Sequence, residues 1–305
     1  MSMSKKIVLL GCSGFIGSAI LERFGEQAKK DLMLIGTYHQ HRPAVTPSPN
    51  VSVYQLDVTD QIRLQQLLQT IQPDIIINTI AISTIDACER NKKECDSINV
   101  DPTKTIVEYC KHNPLVKYIF FSSDHVFDGK KQEPYTEKDP TGPVNYYGTT
   151  KLESEQIITS TLTNYAILRL CFVFGVPKQY HHPNLFSTIY DTLSQKKHFS
   201  AYYDRNRSPS YIRDIPKVVE QAIKKNKKGL FLIGGETMTV YEFARSIAQA
   251  FTLDQTMIKK TTSIGKETVS RPQNCSVERA FTEQSLGIKF RSLPEAFQDI
   301  KRMLP

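Results

Sequence analysis

The chain has 305 residues, of which 40% are hydrophobic and 23% are charged, as in an ordinary water-soluble globular protein. No apolar run approaches the ~20 residues that a membrane-spanning helix needs, and the chain starts without a cleavable signal, so we expect a cytosolic protein without membrane contact. The net charge is +8, and the lysines occur as scattered pairs without an arginine-rich stripe. This distribution favours a small anionic ligand over nucleic acid.

Cysteine and histidine usage argues against a metal site and against a disulfide framework. The six cysteines form no C-x-x-C pair and fall in apolar or helical contexts, which predicts reduced thiols. His181 and His182 are adjacent in a loop, and neighbouring side chains of an extended chain point apart. We therefore predict that the protein holds no metal.

Apolar strand patterns alternate with helical patterns through the first half of the chain. Helices are predicted at residues 15–24, 60–71, 102–112 and 147–159, and strands at residues 5–10, 32–37, 51–56, 74–80, 118–122 and 166–170. Nearly continuous apolar strands separated by helices indicate a parallel sheet that is covered on both faces. The predicted fold class is therefore α/β, a doubly wound parallel sheet of the Rossmann-like type.

The pattern weakens after Gly175, where a loop rich in proline and histidine begins. Helices are predicted at 185–193, 216–224 and 240–251, and a strand at 230–233. No repeat or low-complexity linker separates the two halves. We expect residues 1–170 to form a dinucleotide-binding domain to which 211–228 return, and 171–210 with 229–305 to form a smaller, interleaved C-terminal substrate domain.

The first predicted strand leads into a glycine-rich turn with Gly11, Gly14 and Gly17. Glycines at a strand-to-helix turn permit a tight bend, close approach of the backbone to a pyrophosphate, and helix packing against the strand. The turn therefore predicts a dinucleotide site that also includes Ser13, Phe15 and Ile16. Its first gap of two residues resembles that of the extended short-chain dehydrogenase/reductase group.

The end of the second predicted strand bears on the choice of cofactor. A carboxylate there would accept hydrogen bonds from the ribose hydroxyls and repel a 2′-phosphate, but the sequence offers His39 and Arg42 instead. We therefore expect NADPH, with NADH left open. Residues after the third and fourth strands should flank the adenine and the middle of the cofactor, namely Asp57, Val58, Asn78 and Ala81. Asn99 is either a residue that orients Lys151 through water or a helix-start residue.

A catalytic set is predicted from Ser123, Tyr147 and Lys151. A tyrosine is a poor acid at neutral pH unless a nearby cation stabilises its phenolate, and a lysine four residues on lies on the same helix face. Ser123, at the end of a strand, can bind the carbonyl oxygen that Tyr147 protonates.

Several longer motifs resemble the dTDP-4-dehydrorhamnose reductases. They are Ser-Ser-Asp-His-Val-Phe-Asp-Gly at 122–129, Pro-Tyr-Thr-Glu at 134–137, Asn-Tyr-Tyr-Gly-Thr-Thr-Lys-Leu-Glu at 145–153, and segments at 204–211, 241–244 and 271–274. The resemblance implies that Ser123, Tyr147 and Lys151 take the family's catalytic positions. The family often has Tyr where His125 stands, and commonly a Trp near Phe172, whereas this chain has no Trp.

The substrate is expected to lie at the carboxyl ends of the strands, under the second half of the chain. The candidate substrate residues are Asp124, His125, Phe172, Asn184, Arg205 and Arg207; the two arginines suit a diphosphate.

The resulting hypothesis is an NADPH-dependent reductase of a nucleotide-linked 4-keto-6-deoxy sugar. A nucleotide-sugar epimerase or dehydratase of the same superfamily stays open, although no Glu follows Asp124 to form the acidic pair expected of a dehydratase. The chain also resembles the regulatory beta subunit of methionine adenosyltransferase, so a cofactor-binding regulatory subunit stays open as well. The sequence leaves open whether the protein forms a homodimer.

Overall fold

The computed structural model describes residues 5–27, 32–44, 48–176, 183–265 and 268–304. His181 and His182, for which we predict no metal, lie outside the described residues. Within the described ranges, every helix is too short or too polar to cross a membrane.

Strands and helices alternate up to residue 170. The strands are β1 (Lys5–Leu10), β2 (Leu32–Tyr38), β3 (Val51–Gln55), β4 (Ile75–Asn78), β5 (Lys117–Ser123) and β6 (Tyr165–Leu170). The helices are α1 (Phe15–Gln27), α2 (Gln61–Ile71), α3 (Ile85–Arg90), α4 (Lys92–Asn99), α5 (Asp101–His112) and α6 (Tyr146–Thr161). A short 3-10 turn at Asp124–Val126 follows β5.

The second half contains shorter strands and five more helices among the described residues. The strands are β7 (Val173–Phe174), β8 (Phe199–Tyr202), β9 (Asn206–Arg207), β10 (Ser210–Tyr211), β11 (Gly229–Ile233), β12 (Met238–Thr239) and β13 (Ile258–Thr261). The helices are α7 (Leu185–Ser194), α8 (Ile215–Lys224), α9 (Val240–Ala250), α10 (Ala280–Leu286) and α11 (Leu293–Lys301), and a 3-10 turn lies at Gln255–Met257.

Seven parallel strands form the central sheet, in the order β11-β6-β5-β4-β1-β2-β3. Successive side chains of a strand point to opposite faces, so Ile7 and Leu9 pack into one core and Val8 and Leu10 into the other. Helices α1 and α8 cover the first face, and α2, α5 and α6 cover the second. This arrangement confirms the predicted α/β class with a doubly wound parallel sheet.

The order of the strands reverses between β1 and β4, and this point positions the site. The chain runs outward from β1 through β2 to β3, then crosses back to β4 and runs to the other edge. A crevice opens at such a reversal, beyond the carboxyl ends of the strands. The glycine-rich turn, the end of β4 and the end of β5 therefore meet there.

Some element boundaries differ from the sequence-based prediction. The fourth strand ends at Asn78 instead of residue 80, and the helix that carries Tyr147 and Lys151 begins at Tyr146 and reaches Thr161. Strand β11, which we assigned to the substrate domain, lies in the central sheet beside β6, because its apolar residues pair with those of β6. The division of the chain into two domains stays a prediction.

Gly17, in the first turn of α1, packs its backbone against the backbone of Gly11 and Cys12, and a side chain there has no room. A Cβ atom at this position would lie 2.0 Å from the Gly11 carbonyl oxygen, whereas one at Gly25, in the same helix, would meet nothing within 4 Å. We expect Gly17→Ala to lower the free energy of unfolding by about 1–3 kcal/mol because of this overlap. Gly25→Ala, the control, should raise it by roughly 0.5–1 kcal/mol. Urea denaturation measures the free energy of unfolding of both variants. Equal midpoints for the two would contradict the close packing of Gly17 against Gly11.

Candidate active site

A cavity of about 450 Å³ opens at the carboxyl edge of the central sheet. Its walls come from the start of α1, the loop after β4, the ends of β5 and β6, the helix α6 and the segment that leads into the second half. The lining residues are Gly14, Phe15, Ile16, Thr79, Ala81, Ser83, Phe121, Ser122, Ser123, Asp124, His125, Tyr147, Lys151, Leu170, Cys171, Phe172, Val173, Pro183, Asn184 and Arg207.

The glycine-rich turn has the geometry of a phosphate cradle. Gly11 adopts a φ of +81°, which L side chains rarely tolerate, and the backbone of Gly14 borders the cavity. Helix α1 begins at Phe15, so its first N–H groups and the positive end of its dipole lie at the cavity wall. These residues fit the pyrophosphate of a dinucleotide, the predicted role of Gly11, Ser13, Gly14, Phe15, Ile16 and Gly17.

Ser123 is the last residue of β5 and is buried at the cavity wall. Its hydroxyl donates to Asp124 Oδ1 at 3.0 Å and accepts from the His125 backbone N–H at 3.2 Å. The second bond closes the 3-10 turn and fixes the direction in which the serine side chain leaves the strand. A strand end thus presents the hydroxyl at the place where the prediction put it.

Tyr147 lies in the first turn of α6, which Asn145 caps by accepting a hydrogen bond from the Gly148 N–H. Burial raises the pKa of Tyr147 well above its ordinary value, and a hydrogen bond with Ser123 partly opposes this. We expected the nearby lysine to lower this pKa, but in the structure desolvation dominates. The phenol is protonated at neutral pH, as an ordinary tyrosine is, and the raised pKa makes it a weaker acid than a free phenol.

Lys151 follows Tyr147 by one helical turn and is buried with it. Its ammonium group donates to the Phe121 carbonyl oxygen at 2.9 Å and lies 6.0 Å from the centre of the Tyr147 ring. Burial lowers the pKa of Lys151 to about 8, with Glu155 among the groups that oppose this shift. The ammonium is therefore still charged at neutral pH, so the structure brings the three predicted catalytic residues to one wall.

A buried ion pair supports this wall, and the sequence analysis missed it. Glu155, one turn beyond Lys151, accepts two hydrogen bonds from Arg169 of β6, at 2.9 and 2.6 Å, and one from Ser122 of β5 at 2.5 Å. Both partners of the ion pair are almost fully buried. The sequence holds one signal for this pair, because Arg169 is the single charged residue in an otherwise apolar strand. A charge that is buried in a sheet needs an oppositely charged partner.

The predicted substrate residues divide into two groups. Asp124, His125, Phe172, Asn184 and Arg207 line the cavity, whereas Arg205 does not border it. Asn184 also caps α7, accepting from Phe186 N and Ser187 N, and Arg207 donates to the carbonyls of Asn206, Pro272 and Gln273. Their backbone contacts hold both side chains in place at the rim of the cavity.

The residues assigned to the adenine end of the cofactor lie beyond the cavity. His39 follows β2, and its Nε2 lies 3.6 Å from a carboxylate oxygen of Asp57, which follows β3. Strand pairing thus brings a carboxylate next to the end of β2, where the sequence of that strand offers none. Arg42 is exposed nearby in the chain, and Val58 is buried in the core under α2.

Asn78 and Asn99, which we predicted to lie near the cofactor and Lys151, do not line the cavity and instead bind other parts of the protein. Asn78 donates to the Tyr118 hydroxyl at 3.1 Å and accepts from the Ile80 N–H, so its side chain shapes the loop after β4. Asn99 is the last residue of α4 and not a helix start. It binds the backbone N–H and carbonyl of Ile82 and donates to Thr150 Oγ1 at 3.1 Å, which ties this loop to α6.

Comparison with known proteins agrees with this architecture. The family model "RmlD substrate binding domain" matches residues 5–304. The chain is 27% identical over 297 residues to methionine adenosyltransferase 2 subunit beta of Rattus norvegicus, covering 95% of this chain and 84% of the relative. It is 26% identical over 261 residues to dTDP-4-dehydrorhamnose reductase of Aggregatibacter actinomycetemcomitans, covering 81% of this chain and 87% of that protein.

A solved structure has the same fold across the chain. The dTDP-4-dehydrorhamnose reductase of Bacillus anthracis, determined in complex with NADP, superimposes with a TM-score of 0.82 at 20% sequence identity. The match covers 99% of this chain and 100% of that structure. The seven-stranded sheet and the elements of the second half therefore both have counterparts in that fold.

The buried Glu155–Arg169 pair predicts a large stability effect. Arg169→Met should lower the free energy of unfolding by about 3–5 kcal/mol because it leaves the Glu155 carboxylate buried without its cation. Lys104→Met removes an exposed ion pair with Asp101 and should cost less than about 1 kcal/mol. Chemical denaturation at pH 7 compares the two, and an Arg169→Met loss as small as that of the control would contradict the prediction.

Proposed function

The chain belongs to the RmlD substrate binding domain family, and we propose that it is an NADPH-dependent reductase of a nucleotide-linked 4-keto-6-deoxy sugar. One observation carries the proposal. Ser123, Tyr147 and Lys151 line the same cavity as Gly14 of the glycine-rich turn and Phe15 and Ile16 at the start of α1. A proton donor thus borders the same cavity as a turn that suits a dinucleotide.

The cofactor site would use the turn at Gly11, Gly14 and Gly17 for the pyrophosphate, with Lys151 next to the nicotinamide ribose. The reduced nicotinamide, when bound, supplies a hydride to the keto carbon. His39 and Arg42 favour a cofactor that carries a 2′-phosphate, and the adjacent Asp57 carboxylate is the feature that would let NADH bind. Relatives in this fold are bound to NADP in one structure and to NAD+ in another, which supports a nicotinamide cofactor.

Tyr147, Ser123 and Lys151 would carry out the proton transfer. Tyr147, which is protonated at neutral pH, donates its phenolic proton to the keto oxygen as that oxygen gains charge. Ser123 would position the same oxygen by turning its hydroxyl proton from Asp124 Oδ1 toward it. The Lys151 ammonium, charged at neutral pH, stabilises the phenolate that remains on Tyr147. Hydride addition at carbon and proton addition at oxygen together give the alcohol.

The lining of the cavity favours reduction over dehydration. Among the described residues that border it, Asp124 carries the single carboxylate. The next residue is His125, whose pKa burial lowers to about 4, so it is neutral at physiological pH. A dehydratase would need a second acidic group next to Ser123, and this wall offers none.

A second candidate function is that of a cofactor-binding subunit of another enzyme. The resemblance to methionine adenosyltransferase 2 subunit beta favours it, because the match covers 95% of this chain at an identity close to that of the reductase. A subunit of this kind would bind the dinucleotide without turning over a sugar. The two functions therefore differ in one measurable property, the oxidation of NADPH.

The deciding experiment is an assay of NADPH and NADH oxidation with a panel of nucleotide-linked 4-keto sugars. We expect turnover with NADPH, and Tyr147→Phe should lower kcat by ~10²-fold or more while it leaves NADPH affinity largely unchanged. Tyr146→Phe is the matched control, because the Tyr146 hydroxyl binds Asp96 and does not border the cavity. No turnover by the unmodified protein, with intact NADPH binding, would favour the subunit function.

The rate should also depend on pH through Lys151. Because its pKa is about 8, the ammonium is present below that pH and is lost above it. We expect kcat/KM for sugar reduction to be constant below pH 8 and to fall up to tenfold per pH unit above it. Lys151→Arg, which stays charged, should be slower throughout but lose this alkaline fall. A profile of the unmodified protein that stays flat up to pH 10 would refute this role.

A further inference from the structure

Asn145 joins three parts of the site through one buried side chain. Its Oδ1 accepts from the Gly148 N–H at 2.9 Å. Its Nδ2 donates to the Ser270 carbonyl oxygen at 3.2 Å and contacts Nδ1 of His125 at 3.1 Å. A backbone N–H can pair only with the amide oxygen and a carbonyl only with the amide nitrogen, so two independent contacts fix the orientation of the amide.

This orientation determines which nitrogen of His125 carries the proton. The Asn145 NH₂ group is a donor, so Nδ1 of His125 must accept, and the single proton of the neutral imidazole is then on Nε2. Among the described residues, the side-chain hydrogen bonds of His125 involve Nδ1 alone, which leaves the Nε2–H for a ligand. The ring borders the cavity and lies edge-on to Tyr147, with ring centres 5.8 Å apart.

The surroundings of His125 keep it neutral. Burial and the positive charges of Arg207, Arg271 and Arg205 disfavour the imidazolium, and the Asp124 carboxylate opposes them. Tyr147, the other ionisable group in contact with the ring, is itself neutral. A neutral imidazole that gave its proton to the keto oxygen would become an imidazolate anion, which is a very strong base. His125 is therefore suited to hydrogen bonding and not to acid catalysis.

We propose that Asn145 is a positioning residue that holds His125 as the Nε2–H tautomer, so that His125 donates a hydrogen bond to a sugar oxygen of the substrate. The second half of this statement rests on the proposed function. The contribution of Asn145 does not, because it concerns the protein alone. The two halves can therefore be tested separately.

The tautomer is measurable by NMR on protein labelled with ¹⁵N-histidine, with the His125 signals assigned by their loss in His125→Phe. We expect a protonated Nε2 and a bare Nδ1 that do not titrate between pH 5.5 and 8. Asn145→Asp keeps the helix cap but replaces the NH₂ donor by an acceptor, so Nδ1 should gain a proton in that variant. Thermal melts of both proteins check that the variant, which also loses the bond to the Ser270 carbonyl, is folded at the temperature of the NMR measurement. A proton on Nδ1 of the unmodified protein, or titration of its ring in that range, would overturn the contribution of Asn145.

The substrate contact is tested by kinetics with a sugar that the panel shows to be reduced. His125→Phe should raise KM about tenfold, as expected for one lost hydrogen bond, and change kcat by less than about threefold. His125→Gln, which retains an amide donor near the position of Nε2, should recover part of the affinity. An unchanged KM in His125→Phe would overturn the contact. If the unmodified protein reduces no sugar, the proposed function and this contact both fail, while the NMR result still decides the contribution of Asn145.

Discussion

The parallel hydrogen bonding of the central sheet is the constraint on which the site depends. When all seven strands run in the same direction, every loop that follows a strand emerges at one edge. The glycine-rich turn after β1, the loop after β4 and Ser123 at the end of β5 therefore converge, although more than 100 residues separate the first from the last. The reversal of strand order between β1 and β4 leaves the crevice in which they meet.

Burial then gives the converging side chains their chemistry. Removing Tyr147 and Lys151 from water raises the pKa of the phenol and lowers the pKa of the ammonium to about 8. The tyrosine therefore keeps its proton while the lysine keeps its charge at neutral pH. The Glu155–Arg169 pair places a compensated carboxylate one turn beyond Lys151, which opposes complete loss of that charge.

The second half of the chain also contributes residues to the lining of the site. The segment after residue 268 returns to the first half, where Arg271 pairs with Asp86 at 2.5 Å and Asn274 donates to carbonyls at residues 131–133. Tyr135 also exchanges backbone hydrogen bonds with Ser276 and Glu278. Through Ser270 this segment reaches Asn145, so the cap of α6, the His125 ring and the second half of the chain share one buried amide.

The sequence by itself determined the α/β class and most of the elements, and it predicted Ser123, Tyr147 and Lys151 as a catalytic set, because each of these depends on local signals. Apolar periodicity identified the strands, glycine spacing identified the cradle, and a spacing of four on a helix placed Tyr147 beside Lys151. Only the tertiary structure decided the contacts between distant segments. It placed β11 in the central sheet, brought Asp57 to His39, paired Glu155 with Arg169, and turned Asn78 and Asn99 toward the loop after β4. These outcomes depend on strand order and on desolvation, and neither is a property of a short stretch of sequence.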